Sequence, residues 1–204
     1  MSKRIGIDIG GTWCRAYLFD QHDAVLDWAQ TAAPQQPELL TQNIVDLISR
    51  ISPDGDYASL GVAIPGSVDE VKGTVRNAVN LHISDLPLPL RDELAARTGK
   101  PVRIINDANA ATIGARMLLA GRVEPDETTA YVGIGTGLGV GIMCGGRLLK
   151  GASGWAGEYG HIPYGPQGLN CKCGQLDCLE LYCSGSALAR WPRRPSSDTF
   201  LSQP

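Results

Sequence analysis

Four potential metal ligands lie close together in the last part of the 204-residue chain. They are one imidazole and three thiols, the donor types and the number that a closed tetrahedral zinc site requires. Because four protein ligands leave no position for an activated water, the cluster predicts a structural Zn²⁺ rather than a catalytic one. The alternative is a reduced cysteine cluster without an ion, in a glycine-rich loop with little else to hold it. The four ligands are His161, Cys171, Cys173 and Cys178.

Two carboxylates, Glu158 and Glu180, flank this cluster. Once four ligands complete the tetrahedron, neither glutamate is expected to bind the ion. Carboxylates fixed at both ends of a rigid loop can each accept two hydrogen bonds from sugar hydroxyls. We therefore predict sugar contacts for both residues, and the alternative is solvated surface charge.

A glycine–threonine turn follows the first apolar segment, in the sequence IGIDIGGT. Gly10 and Gly11 let backbone N–H groups approach phosphate oxygens closely, and the Thr12 hydroxyl can add a further donor. Asp8 precedes the turn, where phosphate repels a carboxylate unless it holds a cation such as Mg²⁺, usually through water. The alternative is a simple hairpin turn, because no Walker-type Gly-Lys-Ser/Thr follows.

A second glycine–threonine turn lies in YVGIGTGLGVG, residues 131–141. Gly135, Thr136 and Gly137 form its centre, and alternating glycines around it leave one strand face open to close approach. A tight sheet–helix contact is the alternative explanation. Two such turns in one chain favour phosphate binding far more than one does.

An asparagine–aspartate pair, Asn106-Asp107, lies between the two turns, after a short apolar segment and before an alanine-rich one. An acid at the carboxyl end of a strand, beside a helix N-terminus, is well placed for catalysis in α/β proteins. We predict Asp107 as a general base, although a helix cap is the commonest role of aspartate there. Phosphoryl transfer needs positioning more than a strong base, so an ordinary pKa of about 3.9 suffices.

Composition narrows the classes of partner. Hydrophobic residues make up 43% and charged residues 19% of the chain, and the net charge is -3. This balance is typical of globular proteins and gives no electrostatic reason to expect nucleic acid or an anionic membrane as a partner. The opening sequence MSKRIGIDIGGT is neither a signal peptide nor a membrane span. We therefore predict a soluble cytoplasmic protein.

Strand-like and helix-like segments alternate along the chain and predict an α/β fold. The two glycine–threonine turns, each flanked by strands, indicate two related lobes with a boundary in the charged link 121–128. The predicted lobes are 1–122 and 123–190, followed by a disordered tail over 191–204. Predicted strands cover 4–9, 14–19, 24–29, 58–64, 102–105, 129–134 and 138–143, and predicted helices follow Pro37 and cover 90–98 and 108–120.

Taken in order, the motifs of the chain resemble those of the ROK family of sugar kinases and sugar-responsive repressors. This resemblance implies an actin/hexokinase-like fold, with two lobes of ribonuclease H type and ATP and sugar in the cleft. Family members continue well past the zinc loop, so we expect the second lobe to be incomplete here. The family also implies a homodimer. The matching motifs are DIGGT, Pro65-Gly66, NDANAA, GIGTGLGVGI, GEYGH and CKCGQLDCLE.

The resemblance also implies a role for each site residue. Asp8 and Gly10–Thr12 form the first phosphate loop, Gly135, Thr136 and Gly137 belong to the second, and Asp107 is the base. One ring nitrogen of His161 is expected to contact sugar while the other binds zinc. For Asn80, an ordinary turn asparagine is an almost equally good interpretation. The expected sugar contacts are Gly66, Asn80, Asn106, Glu158, His161 and Glu180.

These expectations combine into an ATP-dependent hexose kinase that uses Mg²⁺. The zinc region is most similar to that of bacterial allose kinases, which favours D-allose over glucose, fructose and N-acetylated hexoses. One local departure is Asp177, in place of the glycine usual before the third cysteine, and we expect the loop to tolerate it. The alternatives are a repressor, for whose N-terminal DNA-binding module the first strand leaves no room, and an inactive zinc- and sugar-binding fragment.

Overall fold

The first two strands form because their apolar residues alternate. In a computed structural model of the chain, which describes residues 2–152 and 154–190, β1 (Arg4–Ile9) buries every second side chain. β2 (Trp13–Phe19) follows the same pattern, whereas β3 (Val25–Ala32) is mostly exposed. Period-two alternation places one face of a strand on the core and the other toward solvent. The segment 191–204, predicted as a disordered tail, lies outside the described residues.

The remaining elements follow in chain order. They are α1 (Leu40–Ile51), β4 (Ser59–Ile64), β5 (Ser67–Asp69), β6 (Thr74–Arg76), α2 (Leu90–Thr98), β7 (Val102–Asn106), α3 (Asp107–Leu118), β8 (Thr129–Ile134), β9 (Leu138–Cys144), β10 (Arg147–Leu148), α4 (Glu180–Cys183) and α5 (Gly185–Arg190). Most agree with the sequence prediction to within a few residues, but the short strands β5, β6 and β10 and the short helices α4 and α5 were not predicted.

The main sheet has five strands in the order β3-β2-β1-β4-β7. β1 pairs with β2 and β2 with β3 in antiparallel register, while the β1–β4 and β4–β7 pairs are parallel. The carboxyl ends of β1, β4 and β7 therefore meet at one edge of the sheet. Ligands in α/β folds bind beyond this edge.

The core lies between this sheet and the helices that pack against it. α1 packs against β2 and β3, and α2 packs against β7. Leu40, Ile44, Leu47, Ile48 and Ile51 of α1 are all buried, which is the helical spacing that predicted the element. α2 ends at Gly99, which has φ 66° and closes the helix in the left-handed conformation, as expected for a glycine cap.

The unpredicted strands β5 and β6 form a hairpin of three residues on each side. The Asp69 carboxylate closes its turn by accepting hydrogen bonds from Val71 N at 3.1 Å and Lys72 N at 2.9 Å. Three residues are too few to show an alternating pattern, so the turn residues Asp69 and Gly73 carry the signal in the sequence.

The second sheet contains three strands in the order β10-β9-β8. Of the described residues, 2–131 and 140–157 pack into one compact unit, and 132–139 and 158–190 pack into another. The lobe boundary near residue 122 remains a prediction. Within the described part of the chain, no helix is both long and apolar enough to cross a membrane.

Candidate active site and metal cluster

In the first compact unit, the turn after β1 is closed by its own backbone. Gly10 N donates to Trp13 O at 2.8 Å, which reverses the chain from β1 into β2. A Cβ built at Gly11 would lie 2.8 Å from the Cβ of Asn80, so only glycine fits beneath that side chain. The structure thus brings a predicted phosphate-binding turn and a predicted sugar contact together.

Asp8 lies at the end of β1, directly opposite Arg15 on β2. Arg15 Nη1 donates to Asp8 Oδ2 at 3.2 Å, and both side chains are partly exposed. Arg15 is not among the predicted site residues. The only sequence signal is the hairpin register, which places residues equidistant from the glycine turn opposite each other on one face.

Gly66 and Asn106, two further predicted sugar contacts, are hydrogen-bonded to each other. Asn106 Nδ2 donates to Gly66 O at 3.3 Å. Gly66 has φ 95°, and a Cβ there would lie 2.7 Å from Arg76 O and 2.9 Å from the Cα of Ala78. Close packing and positive φ both require glycine at this position, so the turn after β4 is fixed in place beside the end of β7.

Asp107 is the first residue of α3 and is not the residue that caps it. The cap is Asn106, whose Oδ1 accepts from Asn109 N at 3.1 Å. Asp107 Oδ1 accepts from Ala108 N at 2.8 Å. Because Asn106 performs the capping, the interpretation of Asp107 as a mere helix cap is wrong.

The pKa of Asp107 is raised above its ordinary value. Burial of the carboxyl is the main cause, because it disfavours the charged form, and the negative charge of Asp8 adds to the rise. The hydrogen bond from Ala108 N offsets part of it. A raised pKa makes the carboxylate a better proton acceptor, as a general base requires.

Backbone packing fixes the first turn of α3. Thr112 Oγ1 donates to Ala108 O at 2.6 Å, and both atoms face Gly141 of β9. A Cβ at Gly141 would lie 2.8 Å from Ala108 O and closer still to Thr112 Oγ1. The strand therefore contacts the helix turn that carries Asp107, and one of the alternating glycines of β9 serves packing rather than ligand approach.

In the second compact unit, the four predicted metal ligands come together. Cys171 Sγ lies 3.7 Å from His161 Nδ1, and Cys173 Sγ lies 3.6 Å from Cys178 Sγ. All four donor atoms lie within 4.8 Å of one another. Two sulfurs bound to one tetrahedral Zn²⁺ are about 3.7 Å apart. Donor types, number and spacing therefore fit zinc.

Burial affects the thiols of this cluster. It raises the pKa of Cys171 to about 12, and it also raises the pKa of Cys178. Only the thiolate is a metal ligand, so an ion that binds here displaces protons. Cys173 is exposed, which leaves one side of the cluster open to solvent.

The two predicted glutamates lie on different sides of His161. Glu158 Oε2 is 3.9 Å from His161 Nε2. Glu180 Oε1 is 3.8 Å from Nδ1 and 3.4 Å from Cys171 Sγ. Nδ1 therefore faces the thiols, and Nε2, on the side of Glu158, is the ring nitrogen left for other partners. The zinc and sugar roles of the imidazole remain predictions.

The second glycine–threonine turn belongs to the same compact unit as the cluster. Gly135 N donates to Gly137 O at 3.0 Å within the turn. Glu180 Oε2 accepts from Leu138 N at 3.4 Å, and Gly185 N donates to Gly135 O at 2.7 Å. The turn is thus held by the segment that follows the metal ligands, a relationship that residue types did not predict.

Asp177 organises the cysteine loop instead of being merely tolerated there. It has φ 56° and is buried. Its carboxylate accepts from Gly168 N and Leu169 N, both at 2.9 Å, and from Tyr182 Oη at 2.5 Å. Aspartate is one of the few residues that adopt the left-handed conformation readily, and these hydrogen bonds offset its cost.

Comparison with known proteins identifies the family. The model of the ROK family matches residues 4–202, and this match includes most of the segment predicted as a tail. A glucokinase of Streptomyces coelicolor is 34% identical over 199 residues, which are 98% of this chain and 62% of the relative. An N-acetylmannosamine kinase of Vibrio cholerae is 34% identical over 200 residues, 97% of this chain and 67% of the relative.

Solved structures agree with this relationship. A ROK family glucokinase from Streptomyces griseus, in complex with glucose and AMPPNP, is 37% identical with a TM-score of 0.83. The alignment covers 93% of this chain and 59% of that chain. The chain belongs to the ROK family and has the actin/hexokinase-like fold of its sugar kinases. The chain spans about three fifths of the length of each of these two glucokinases.

Proposed function

We propose that the protein is an ATP-dependent hexose kinase in which Asp107 is the general base. The observation that carries this proposal is the placement of Asp107. It is the first residue of α3, relieved of capping by Asn106, with a raised pKa. A carboxylate in this position can accept a proton while backbone contacts hold it still.

The nucleotide contacts come from the two glycine–threonine turns. The N–H groups of Gly10 and Gly11 and the Thr12 hydroxyl can donate to phosphate oxygens, and Gly135, Thr136 and Gly137 form a second turn of the same kind. Asp8 would hold Mg²⁺ through water, which supplies charge neutralisation for the triphosphate. Arg15, on Asp8, orients that carboxylate.

The reaction follows from these roles. A sugar hydroxyl transfers its proton to Asp107, and its oxygen attacks the γ-phosphorus. The bond between this phosphorus and the bridging oxygen breaks, so that sugar phosphate and ADP leave. Phosphoryl transfer of this kind depends mainly on positioning and on electrostatic stabilisation. The contacts that fix Asp8 and Asp107 therefore matter more to the rate than the basicity of either group.

The sugar contacts comprise neutral and charged groups. Asn106 and Gly66 are already hydrogen-bonded to each other, and Asn80 packs on the first turn. In the other unit, His161 presents Nε2 beside Glu158, and Glu180 adds a second carboxylate. D-Allose remains our prediction for the sugar, with glucose, fructose and N-acetylated hexoses as rivals. The glucokinase and N-acetylmannosamine kinase relatives support a hexose without selecting one.

We also propose that His161, Cys171, Cys173 and Cys178 hold a structural Zn²⁺. The donor set and the sulfur spacing of 3.6 Å support this assignment. With all four ligands from the protein, the ion would stabilise the loop and would not activate water. The homodimer remains a prediction from the resemblance, and the cytoplasmic location remains a prediction from the sequence.

The test is turnover by the purified chain with ATP, Mg²⁺ and a panel of hexoses. We expect ADP release coupled to formation of a sugar phosphate, read by mass spectrometry, and loss of both in Asp107→Asn. Sugar binding without turnover on any hexose would overturn kinase activity of this chain and favour the repressor or the inactive fragment. ADP release without sugar phosphate would assign the activity to adventitious ATP hydrolysis.

A further inference from the structure

The two carboxylate oxygens of Glu180 face different features of the second compact unit. Oε1 lies 3.4 Å from Cys171 Sγ and 3.8 Å from His161 Nδ1, beside the metal ligands. Oε2 accepts from Leu138 N at 3.4 Å, at the end of the second glycine–threonine turn. One side chain therefore contacts both the cluster and the turn.

Glycine is required on the turn side of this contact. A Cβ at Gly137 would lie 2.7 Å from Glu180 Oε2 and would push the carboxylate away from Leu138 N. The absence of a side chain at Gly137 thus serves the approach of Glu180 as well as that of phosphate.

Two further contacts bind the same turn to residues near the metal ligands. Gly185 N donates to Gly135 O at 2.7 Å. Gly160, the residue before His161, packs so closely on Leu138 O that a Cβ would lie 2.5 Å from that oxygen. The turn is held on several sides by backbone that lies close in sequence to the metal ligands.

Chain connectivity makes this dependence direct. Glu180 is the first residue of α4 and follows the ligand Cys178 by two residues. Fixing the Cys178 sulfur in a metal shell fixes the start of α4, and with it the reach of the Glu180 carboxylate. Three thiolates would outweigh the two positive charges of Zn²⁺, so a filled cluster would repel the Glu180 carboxylate and favour its hydrogen bond from Leu138 N.

We infer that Glu180 is a positioning residue that couples the metal cluster to the second glycine–threonine turn. Filling the cluster orders Gly135–Leu138, and the ordered turn binds nucleotide phosphate more tightly. The consequence for nucleotide rests on the proposed kinase function. The sugar contact assigned to Glu180 is compatible with this role, because a carboxylate accepts several hydrogen bonds at once.

Hydrogen exchange of a peptide covering residues 132–139 tests the coupling without any measurement of activity. Four samples are compared: zinc-loaded wild type, chelator-treated wild type, zinc-loaded Glu180→Gln and zinc-loaded Glu158→Gln. The last is the matched control, because it makes the same carboxylate-to-carboxamide change on the other side of His161. Metal content is measured in each sample.

We expect exchange in this peptide to be at least about 10-fold faster in chelator-treated wild type and in Glu180→Gln. Glu158→Gln should exchange like wild type. Gly137→Ala perturbs the same contact from the turn side without touching a ligand, and it should make exchange insensitive to metal removal. Equal exchange in wild type and Glu180→Gln, or no response of wild type to the chelator, would overturn the coupling.

Calorimetry with Mg·ATP separates this coupling from the kinase function itself. We expect metal removal and Glu180→Gln each to weaken Mg·ATP binding at least about 10-fold, and their combination to add little, because they act on one contact. If the exchange pattern appears but no sample binds Mg·ATP, the coupling stands and the proposed function is wrong. Equal binding in all samples would overturn the effect on nucleotide.

Discussion

Arg15 on β2 faces Asp8 on β1, and its Nη1 donates to Asp8 Oδ2 at 3.2 Å. The pair lies at the carboxyl end of β1, at the same edge of the sheet as Asp107. The negative charge of Asp8 raises the pKa of Asp107, and the guanidinium opposite Asp8 offsets part of that charge. We therefore expect Arg15 to affect the pKa of Asp107 through the carboxylate of Asp8.

Replacing this arginine should move the pH dependence of the reaction. In Arg15→Gln the charge of Asp8 acts on Asp107 undiminished, so the pKa of Asp107 rises further. A base must lose its proton to work, so the acid limb of kcat/KM should move to higher pH. The measurement is a pH profile of kcat/KM for both proteins.

Arg4→Gln is the matched control for this experiment. Arg4 lies at the other end of β1, where it pairs with Asp23 at 2.7 Å. Its loss should leave the acid limb unchanged. An acid limb at the same pH in Arg15→Gln and wild type would show that Arg15 does not act on the base.

Asp107→Asn should abolish most activity and at the same time stabilise the fold at neutral pH. The carboxamide keeps an oxygen to accept from Ala108 N but cannot take a proton, so kcat should fall by about 10²- to 10⁴-fold. The stability change follows from the raised pKa of Asp107. Since burial disfavours the charged form, the folded state loses stability as pH rises from the unfolded pKa of about 3.9 through the higher folded pKa.

The side chain of Asp107→Asn does not ionise, so the variant does not lose stability in this way as pH rises. Its Tm should therefore exceed that of wild type by more at pH 7 than at pH 4. Thermal unfolding of both proteins at both pH values measures the difference. Comparison within each pH removes effects that the two proteins share, such as protonation of the metal ligands. A difference in Tm that does not change with pH would contradict the assignment of a raised pKa to Asp107.

Substitution by alanine should have opposite effects at two glycines, one packed against α3 and one within it. Gly141→Ala places a methyl group against Thr112 Oγ1 and Ala108 O, which displaces the turn that carries Asp107. Overpacking of this kind costs about 1–3 kcal/mol, and kcat should fall with it. Gly114→Ala, within α3, meets no atom within 4 Å and should stabilise the protein by about 0.5–1 kcal/mol. Denaturant unfolding and kcat, measured for both variants, check the contrast.

Much of the scaffold could be predicted because single segments carry its signal. Ile5, Ile7 and Ile9 alternate in β1, and the apolar residues of α1 recur at helical spacing. The signals of the turn glycines and of the cysteine spacing are also contained in single short segments. The candidate metal ligands lie in one short segment, and their clustering could therefore be predicted from the sequence.

Contacts between distant segments could not be predicted in the same way. Glu180 and Leu138 N are 42 residues apart, and a backbone N–H leaves no mark in the residue type. The cap of α3 is Asn106 and not its neighbour Asp107. Side-chain preference alone does not decide between two adjacent residues that both cap helices well. Burial of Asp107, the main cause of its raised pKa, appears only once the fold is assembled.

Cys173→Ser should remove the metal while leaving the first compact unit folded. A serine hydroxyl does not replace a thiolate on zinc, so affinity should fall by more than the roughly 10- to 100-fold that loss of an outer partner costs. Cys183→Ser is the control, because that thiol donates to Leu179 O at 3.3 Å and lies outside the four-ligand cluster. Metal content and competition with a chromophoric chelator measure the difference. Equal zinc retention in the two variants would exclude Cys173 as a ligand.

Asp177→Gly tests whether the departure from glycine before the third cysteine has become a structural requirement. Glycine relieves the backbone at φ 56° but removes the acceptor for Gly168 N, Leu169 N and the Tyr182 hydroxyl. Because several hydrogen bonds to a carboxylate outweigh the relief of one left-handed residue, zinc should dissociate several-fold faster from the variant. Asp177→Asn keeps one acceptor oxygen and the tolerance of positive φ, so it should lie between glycine and wild type. Tyr182→Phe removes only the hydroxyl and should have the smallest effect. Release of zinc to excess chelator, followed over time, ranks the four proteins, and a rate for Asp177→Gly equal to that of wild type would show that the loop gains nothing from this aspartate.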